Sequence, residues 1–573
     1  MITAKDHQTG WIFDPWKQFG PKRRKLLENS WPSVFRTYLL NKLPVDVVAR
    51  YFHECLGRPS KELYTAIGAL ILQELHDLSD ADVVHAVAFY TDWHYALDIT
   101  DDSDDSTYIC ERTVRTYSAI LIKENLDKVL FETLTDKMIA VFGVDTSKQR
   151  LDSSVFRSNM RKLGRIRICA RTIEKFLKKL KRTHKDLFAA HITAEITDRY
   201  LVKNANSHFS RVKPSESSKK LADIGNDLLY LIELFSQFTT VCELPEYRLL
   251  ERVLREQFTV TGTGSDATVT VRPPKEVSPD SLQNPSDPDA GYDGHKGQGY
   301  KVQVMETYHE KQDGQLTLDL ITHVDVEPAH EHDADALIPA IEDVQERDCC
   351  PDELLCDTLY GGDDNVQQAE SHGVEVVAPV PGHSPDHDFT GFSFDPETMF
   401  ITTCPAGHAP DVVKRTKKGK ISTRFHRKTC SCCPHLNRCP AKIGKKAAFI
   451  RYDDKIVRLT QRRAYEQTDA FKHRYRWRAG IEASISHLKA DLGLGRLRVR
   501  GMKSVRRAVY LKALGLNILR CARARAAGFS PVGGRIFAHV TSFVNRLVAH
   551  IPVFTILLSK NRCCRCSGAL YHV

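Results

Sequence analysis

Four residues near the C-terminal end, Tyr475, Arg478, Glu482 and Lys489, follow the pattern Tyr-x2-Arg-x3-Glu-x6-Lys. On a single α-helix turning about 100° per residue, all four fall within about 60° of one another. One face then presents a carboxylate flanked by an aromatic ring and two cations. That combination suits a surface that holds a metal ion beside a DNA backbone. Ile481, Ile485, Leu488 and Leu492 form a neighbouring apolar stripe that can seat the helix on a core. The ordinary alternative is an amphipathic helix with solvated charges.

The pattern resembles the Tyr-Arg-Glu-Lys signature of bacterial insertion-sequence transposases of the DDE type. In that family the Glu is the third catalytic carboxylate, and two Asp lie upstream, each at or just past the end of a strand. The resemblance assigns these to Asp152, in Arg150-Leu151-Asp152-Ser153-Ser154-Val155-Phe156, and to Asp357, in Leu354-Leu355-Cys356-Asp357-Thr358-Leu359-Tyr360-Gly361-Gly362. Pro285–Val304 is also similar to the family, and the likeness runs from about Arg58 to about Arg520.

The resemblance implies Mg²⁺ or Mn²⁺ held by Asp152, Asp357 and Glu482, with Tyr475, Arg478 and Lys489 on the DNA. Phosphodiester cleavage needs an activated water and a stabilised leaving oxygen, and divalent ions on a few carboxylates meet both needs. The implied activity is cleavage at the ends of a mobile element and strand transfer into target DNA. The implied partners are terminal inverted repeats, target DNA and a second copy of the chain in a synaptic homodimer. A nuclease or resolvase without strand transfer, and a domesticated DNA-binding protein that no longer cuts, are the rival readings. Asp145, Asp352, Asp363 and Asp364 are the nearest competing carboxylates, expected to cap or solvate loops.

The elements around these residues give an expected architecture. Residues 1–142 read as helical, with Leu63, Ile67, Leu70, Ile71 and Leu75 on one face and Asp80 as the N-cap of the next helix. A strand is expected within Gly143–Val155, a hairpin from Tyr300–Thr307 and Leu316–Val324, a helix over Asp333–Gln345, and strands at Glu353–Asp357 and Val374–Val380. Three strands, a helix, a strand and a later helix carrying Glu482 is the order of an α/β ribonuclease H-like core. Residues 143–530 are assigned to it, with a helical insertion at about 160–290 and a Cys-rich insertion at about 383–450. Residues 1–142 form the expected helical DNA-end-binding domain, and 531–573 a basic tail.

Charge and cysteine content narrow the partners. The net charge is +10, and fifteen Lys or Arg but no Asp or Glu lie between Arg496 and Val573, which favours phosphate contact. A second basic run extends from Arg157 to Lys185. The first residues open no apolar run and no segment reaches a membrane span, so a cytoplasmic, nucleoid-associated protein is expected. Reduced thiols follow from that location. Cys404, Cys430, Cys433 and Cys439 give C-x25-C-x2-C-x5-C, which suits structural zinc or an iron–sulfur cluster, with buried thiols as the alternative. Cys432, His408, His426 and His435 are rival ligands. Cys563, Cys564 and Cys566 form a weaker cluster.

Overall fold

The computed structural model describes residues 1–7, 15–202, 209, 212–262, 264–310, 316–382 and 389–529. The expected basic tail and its three cysteines lie outside them. The protein is mixed α/β.

Its central sheet contains five main strands: β1 (Lys148–Phe156), β2 (Gly297–Thr307), β3 (Ile321–Pro328), β4 (Glu353–Cys356) and β5 (Glu375–Val377). They lie in the order β3-β2-β1-β4-β5. β2 runs antiparallel to β1 and β3, whereas β4 is parallel to β1 and β5 to β4. The short strand Gly291–Asp293 pairs with the start of β2. Both faces of the sheet are covered. Tyr300, Val302 and Val304 of β2 point into the large core shared with the N-terminal helices, and Met305 points into the opposite core with Leu151, Leu354 and Cys356. This is the side-chain alternation of a strand buried on two sides.

The N-terminal bundle includes α1 (Leu63–Leu75) and α2 (Leu126–Phe142). Between β1 and β2 lies a helical unit led by α3 (Arg165–Thr183), which packs with the helices Ser217–Phe235 and Pro245–Gln257 around Ile173, Phe176, Leu177, Phe235 and Leu250. α4 (Leu337–Glu346) covers the sheet face that holds Leu151. Near the end come α5 (Gly480–Ala490) and α6 (Met502–Ala526). α6 is buried along most of its length and packs against α1, α2 and β3 together.

Several expectations shift. The N-cap of Asp80–Phe89 is Ser79, which exchanges hydrogen bonds with Asp82 in a capping box; Asp80 is the first helical residue. The third strand starts at Ile321, not Leu316. The helix expected from Asp333 begins as a 3₁₀ turn and becomes α-helical at Leu337. A short hairpin, Phe258–Thr261 with Thr268–Val271, closes the helical unit within the stretch of about 160–290 that was expected to be helical. The Cys-rich segment is built on a four-stranded antiparallel sheet with its own core around Ile421, Phe425, Ile450 and Tyr452.

Candidate active site

β1 and β4 run side by side, with Leu151 opposite Cys356 as their last paired positions. The next residues are Asp357, just past the end of β4, and Asp152, which lies in the middle of β1 and not at a strand end as expected, because β1 continues to Phe156 against β2. The parallel pairing still delivers two carboxylates to one place. Asp152 accepts a hydrogen bond from its neighbour's amide, Ser153 N, at 2.8 Å, and Asp357 caps the 3₁₀ turn Thr358–Tyr360 by accepting from Thr358 N at 2.8 Å. Burial raises the Asp152 pKa, and the nearby Asp357 charge adds to that rise; the Ser153 amide and Arg478 oppose it.

The third carboxylate reaches the pair through an arginine. Arg478 donates from Nη1 to Asp152 Oδ2 at 3.0 Å and from Nη2 to Glu482 Oε1 at 3.3 Å. The Glu482 side chain is 67% exposed, against 18% for Asp152, so Glu482 stands at the rim. The run Tyr475–Lys489 is not one α-helix as the spacing suggested. A helix ends at Tyr475, a 3₁₀ turn spans Arg476–Ala479, and α5 starts at Gly480. The expected apolar stripe does seat α5, since Ile481, Ile485, Leu488 and Leu492 are all buried. Tyr475 stacks on Phe471 at 5.2 Å between centroids, with the Arg478 guanidinium 6.0 Å from the Tyr475 ring. Burial, reinforced by the charges of Asp357 and Asp152, pushes the Tyr475 phenol up to about 12. Lys489 is half-buried, and burial followed by the charge of Lys296 lowers its ammonium pKa.

The break in the helix has a visible cause. Glu306 of β2 is completely buried and accepts from Arg150 Nε at 2.8 Å, from Arg520 Nη1 at 2.9 Å and from Ser484 Oγ at 2.6 Å. Arg150 in turn donates from Nη1 to the Trp477 carbonyl at 2.8 Å. A Cβ at Gly480 would lie 2.1 Å from that same Nη1. Only glycine lets the guanidinium pass between β1 and the start of α5. The sequence reading missed Glu306, Arg150, Gly480, Ser484 and Arg520. The available signal was faint: Glu306 follows Val304 and Met305 within the expected strand Tyr300–Thr307, where Lys301 and Gln303 are polar as well.

Three of the competing carboxylates are committed elsewhere, and Asp352 is exposed. Asp145 accepts from Ser147 N at 2.9 Å, and Asp364 pairs with Lys455 at 3.0 Å. Asp363 neither caps nor solvates a loop: it is buried and pairs with Arg458 at 2.6 Å.

Cys404, Cys430, Cys433 and Cys439 line one cavity of about 220 Å³, together with His408, His426 and His435. Cys432 is exposed and outside this lining. Burial, followed by the charges of Cys439, Cys404 and Cys433, pushes the Cys430 thiol up to about 11. Among the described residues, no group of three or more His, Cys, Asp or Glu is arranged to hold a metal ion, at this cavity or at the three carboxylates. No helix among them is long and apolar enough to cross a membrane.

No curated protein matches the chain. Residues 403–522, about a fifth of the sequence, match the family model of the transposase DDE domain. Tyr475, Arg478, Glu482 and Lys489 fall inside the matched stretch, whereas Asp152 and Asp357 fall outside it. The match supports an insertion-sequence DDE transposase.

Proposed function

We propose that the protein cleaves DNA at the ends of a mobile element and joins them to target DNA, using Asp152, Asp357 and Glu482. The observation that carries the proposal is the placement of Asp152, midway along β1, beside Asp357, just past the end of β4, where the parallel pairing of the two strands stops, with Arg478 linking Asp152 to Glu482. The strand order β3-β2-β1-β4-β5, antiparallel only at β2, supports a ribonuclease H-like core. In this reading the unit 165–257 is an insertion into that core, and residues 1–142 bind the element ends.

The donor set fits a divalent cation. Two neighbouring carboxylates, one of them depleted of solvent, have Arg478 as the ion-pair partner of Asp152, and oxygen ligands of this kind suit Mg²⁺ or Mn²⁺. When bound, such ions activate water and stabilise the leaving oxygen of the phosphodiester. The chain's own residues do the rest. Asp152 and Asp357 hold the charge in place from a rigid sheet. Arg478 faces both carboxylates and the open side, where a scissile phosphate can exchange with Glu482 as its partner. Tyr475, packed on Phe471, limits how far Arg478 can swing, and Lys489 offers a further phosphate contact about two turns beyond Glu482 on α5. A second copy of the chain is the expected partner at the paired ends. The four cysteines that line one cavity are the candidate ligands of a structural metal, zinc or an iron–sulfur cluster, that would fix the segment between Asp357 and Glu482.

Cleavage and strand-transfer assays on DNA carrying the element's ends test the proposal. Asp152→Asn, Asp357→Asn and Glu482→Gln should each abolish both steps in Mg²⁺ while binding to the ends persists, because affinity comes mainly from cationic contacts. Near-normal cleavage by Glu482→Gln would sink the assignment. Cutting without joining by the unaltered protein would favour the nuclease reading.

A further inference from the structure

The apolar side of α3 is spent on the core of the helical unit, where Ile173, Phe176, Leu177 and Leu180 are buried. The opposite side carries Arg167, Arg171, Lys178 and Arg182, which at about 100° per residue lie within about 60° of one another. Lys178 is paired with Glu174. Arg167, Arg171 and Arg182 are exposed and form no ion pair among the described residues.

Three lysines continue this charge toward α5. Lys162 lies just before α3, with Nζ 3.7 Å from the Cβ position of Gly297. Lys296 precedes that glycine, in the turn between Gly291–Asp293 and β2, and its charge reaches Lys489. None of the three is ion-paired among the described residues. Glu174, paired with Lys178, and Asp293, beside Lys296, are carboxylates within this row, and the cations outnumber them. Like charges gathered in excess repel one another, and a polyanion relieves that repulsion.

We propose that the row from Lys489 through Lys296 and Lys162 onto the Arg167, Arg171 and Arg182 face of α3 docks the phosphate backbone of duplex DNA leading away from the cleavage site. The proposal rests on the transposase reading for what happens at its Lys489 end. Arg167 to Arg182 covers about 22 Å of helix, or about two-thirds of a turn of duplex. Apart from Glu174, which Lys178 occupies, the face offers cations and no amide or apolar side chain for reading bases, so its contribution is independent of sequence. An anionic membrane is the poorer fit, because a membrane-seeking helix needs its apolar side free and that of α3 is buried.

The test is the salt dependence of full-length protein binding to a labelled duplex of arbitrary sequence. Each lost phosphate contact should flatten the slope of log K against log salt by about 0.9. The triple variant Arg167→Ala, Arg171→Ala, Arg182→Ala should therefore lose about two to three units of slope, with an unchanged circular dichroism spectrum. The matching triple Lys variant should restore the slope. An unchanged slope in the folded Ala variant overturns the proposal, as does tighter binding of the unaltered protein to phosphatidylserine vesicles than to duplex. Cleavage of element ends by the unaltered protein is scored separately. A flattened slope without any cleavage keeps the surface and removes the transposase reading; cleavage with an unchanged slope does the reverse.

Discussion

Glu306→Gln removes one negative charge from a position without solvent contact and leaves the surrounding heavy atoms in place. Burial alone would raise this carboxyl's pKa, but Arg520 and Arg150 more than offset that and hold it below the ordinary glutamate value. Without the charge, two largely buried guanidiniums lose their common anion. Breaking a buried ion pair from one side costs roughly 3–5 kcal/mol. Arg150 keeps the Trp477 carbonyl and Arg520 keeps the Asp319 carbonyl, and Gln retains an acceptor, so the low end applies. About 3 kcal/mol is about two orders of magnitude in the folding equilibrium. Hydrogen exchange of peptides covering 150–156 and 477–490 in mild urea reads this locally, which matters because the chain holds several cores. A depressed carboxylate contributes stability above its unfolded pKa, about 4.3, and loses it as pH falls through the folded value. The gap between wild type and Glu306→Gln should therefore be full at pH 7 and close progressively below about pH 4.3. A gap under about 1 kcal/mol at pH 7, or one that stays constant to acid pH, would show that Glu306 does not brace these elements.

Gly480→Ala forces a Cβ onto Arg150 Nη1 and should cost about 1–3 kcal/mol while lowering cleavage, as read by urea unfolding and a cleavage assay. Arg478→Ala removes charge-assisted hydrogen bonds to Asp152 and Glu482 and should slow cleavage by about tenfold or more, with the protein still folded. Cys433→Ser should reduce the metal content of protein purified without chelator, from about one ion per chain toward zero by elemental analysis. Deleting residues 530–573 should flatten the salt dependence of DNA binding by about 0.9 per lost contact; an unchanged slope would show that the tail does not touch DNA.

The parts of this fold that local pattern encodes were legible in the sequence. Ile481, Ile485 and Leu488 announce the buried face of α5, and the apolar run at Leu354–Cys356 announces a buried strand with Asp357 at its end. The parallel pairing that sets Asp152 beside Asp357 depends on residues about 200 apart, and only the family resemblance pointed to it. The 3₁₀ turn before α5 was hidden because its cause, Arg150 against Gly480, is a contact between distant segments. Ser79 outcompeted Asp80 as a cap because it exchanges two hydrogen bonds with Asp82, a distinction that single-residue preference misses. The β-structure of the Cys-rich segment was masked by its many Lys, Arg and His, which occupy the exposed face of strands such as Ile421–His426.

α6 supplies a wall of the N-terminal bundle, yet it is translated about 360 residues after α2 ends. At about 5–20 residues per second, the ribosome needs on the order of tens of seconds to cover that distance. During that interval the surfaces of α1 and α2 that α6 will bury remain open, as does the sheet face at β3. The nascent chain is therefore a natural client for chaperones that hold apolar surface, and it is vulnerable to sticking to its neighbours on a polysome. Active protein per transcript should then depend on the yield of this late closure as well as on the rate of synthesis.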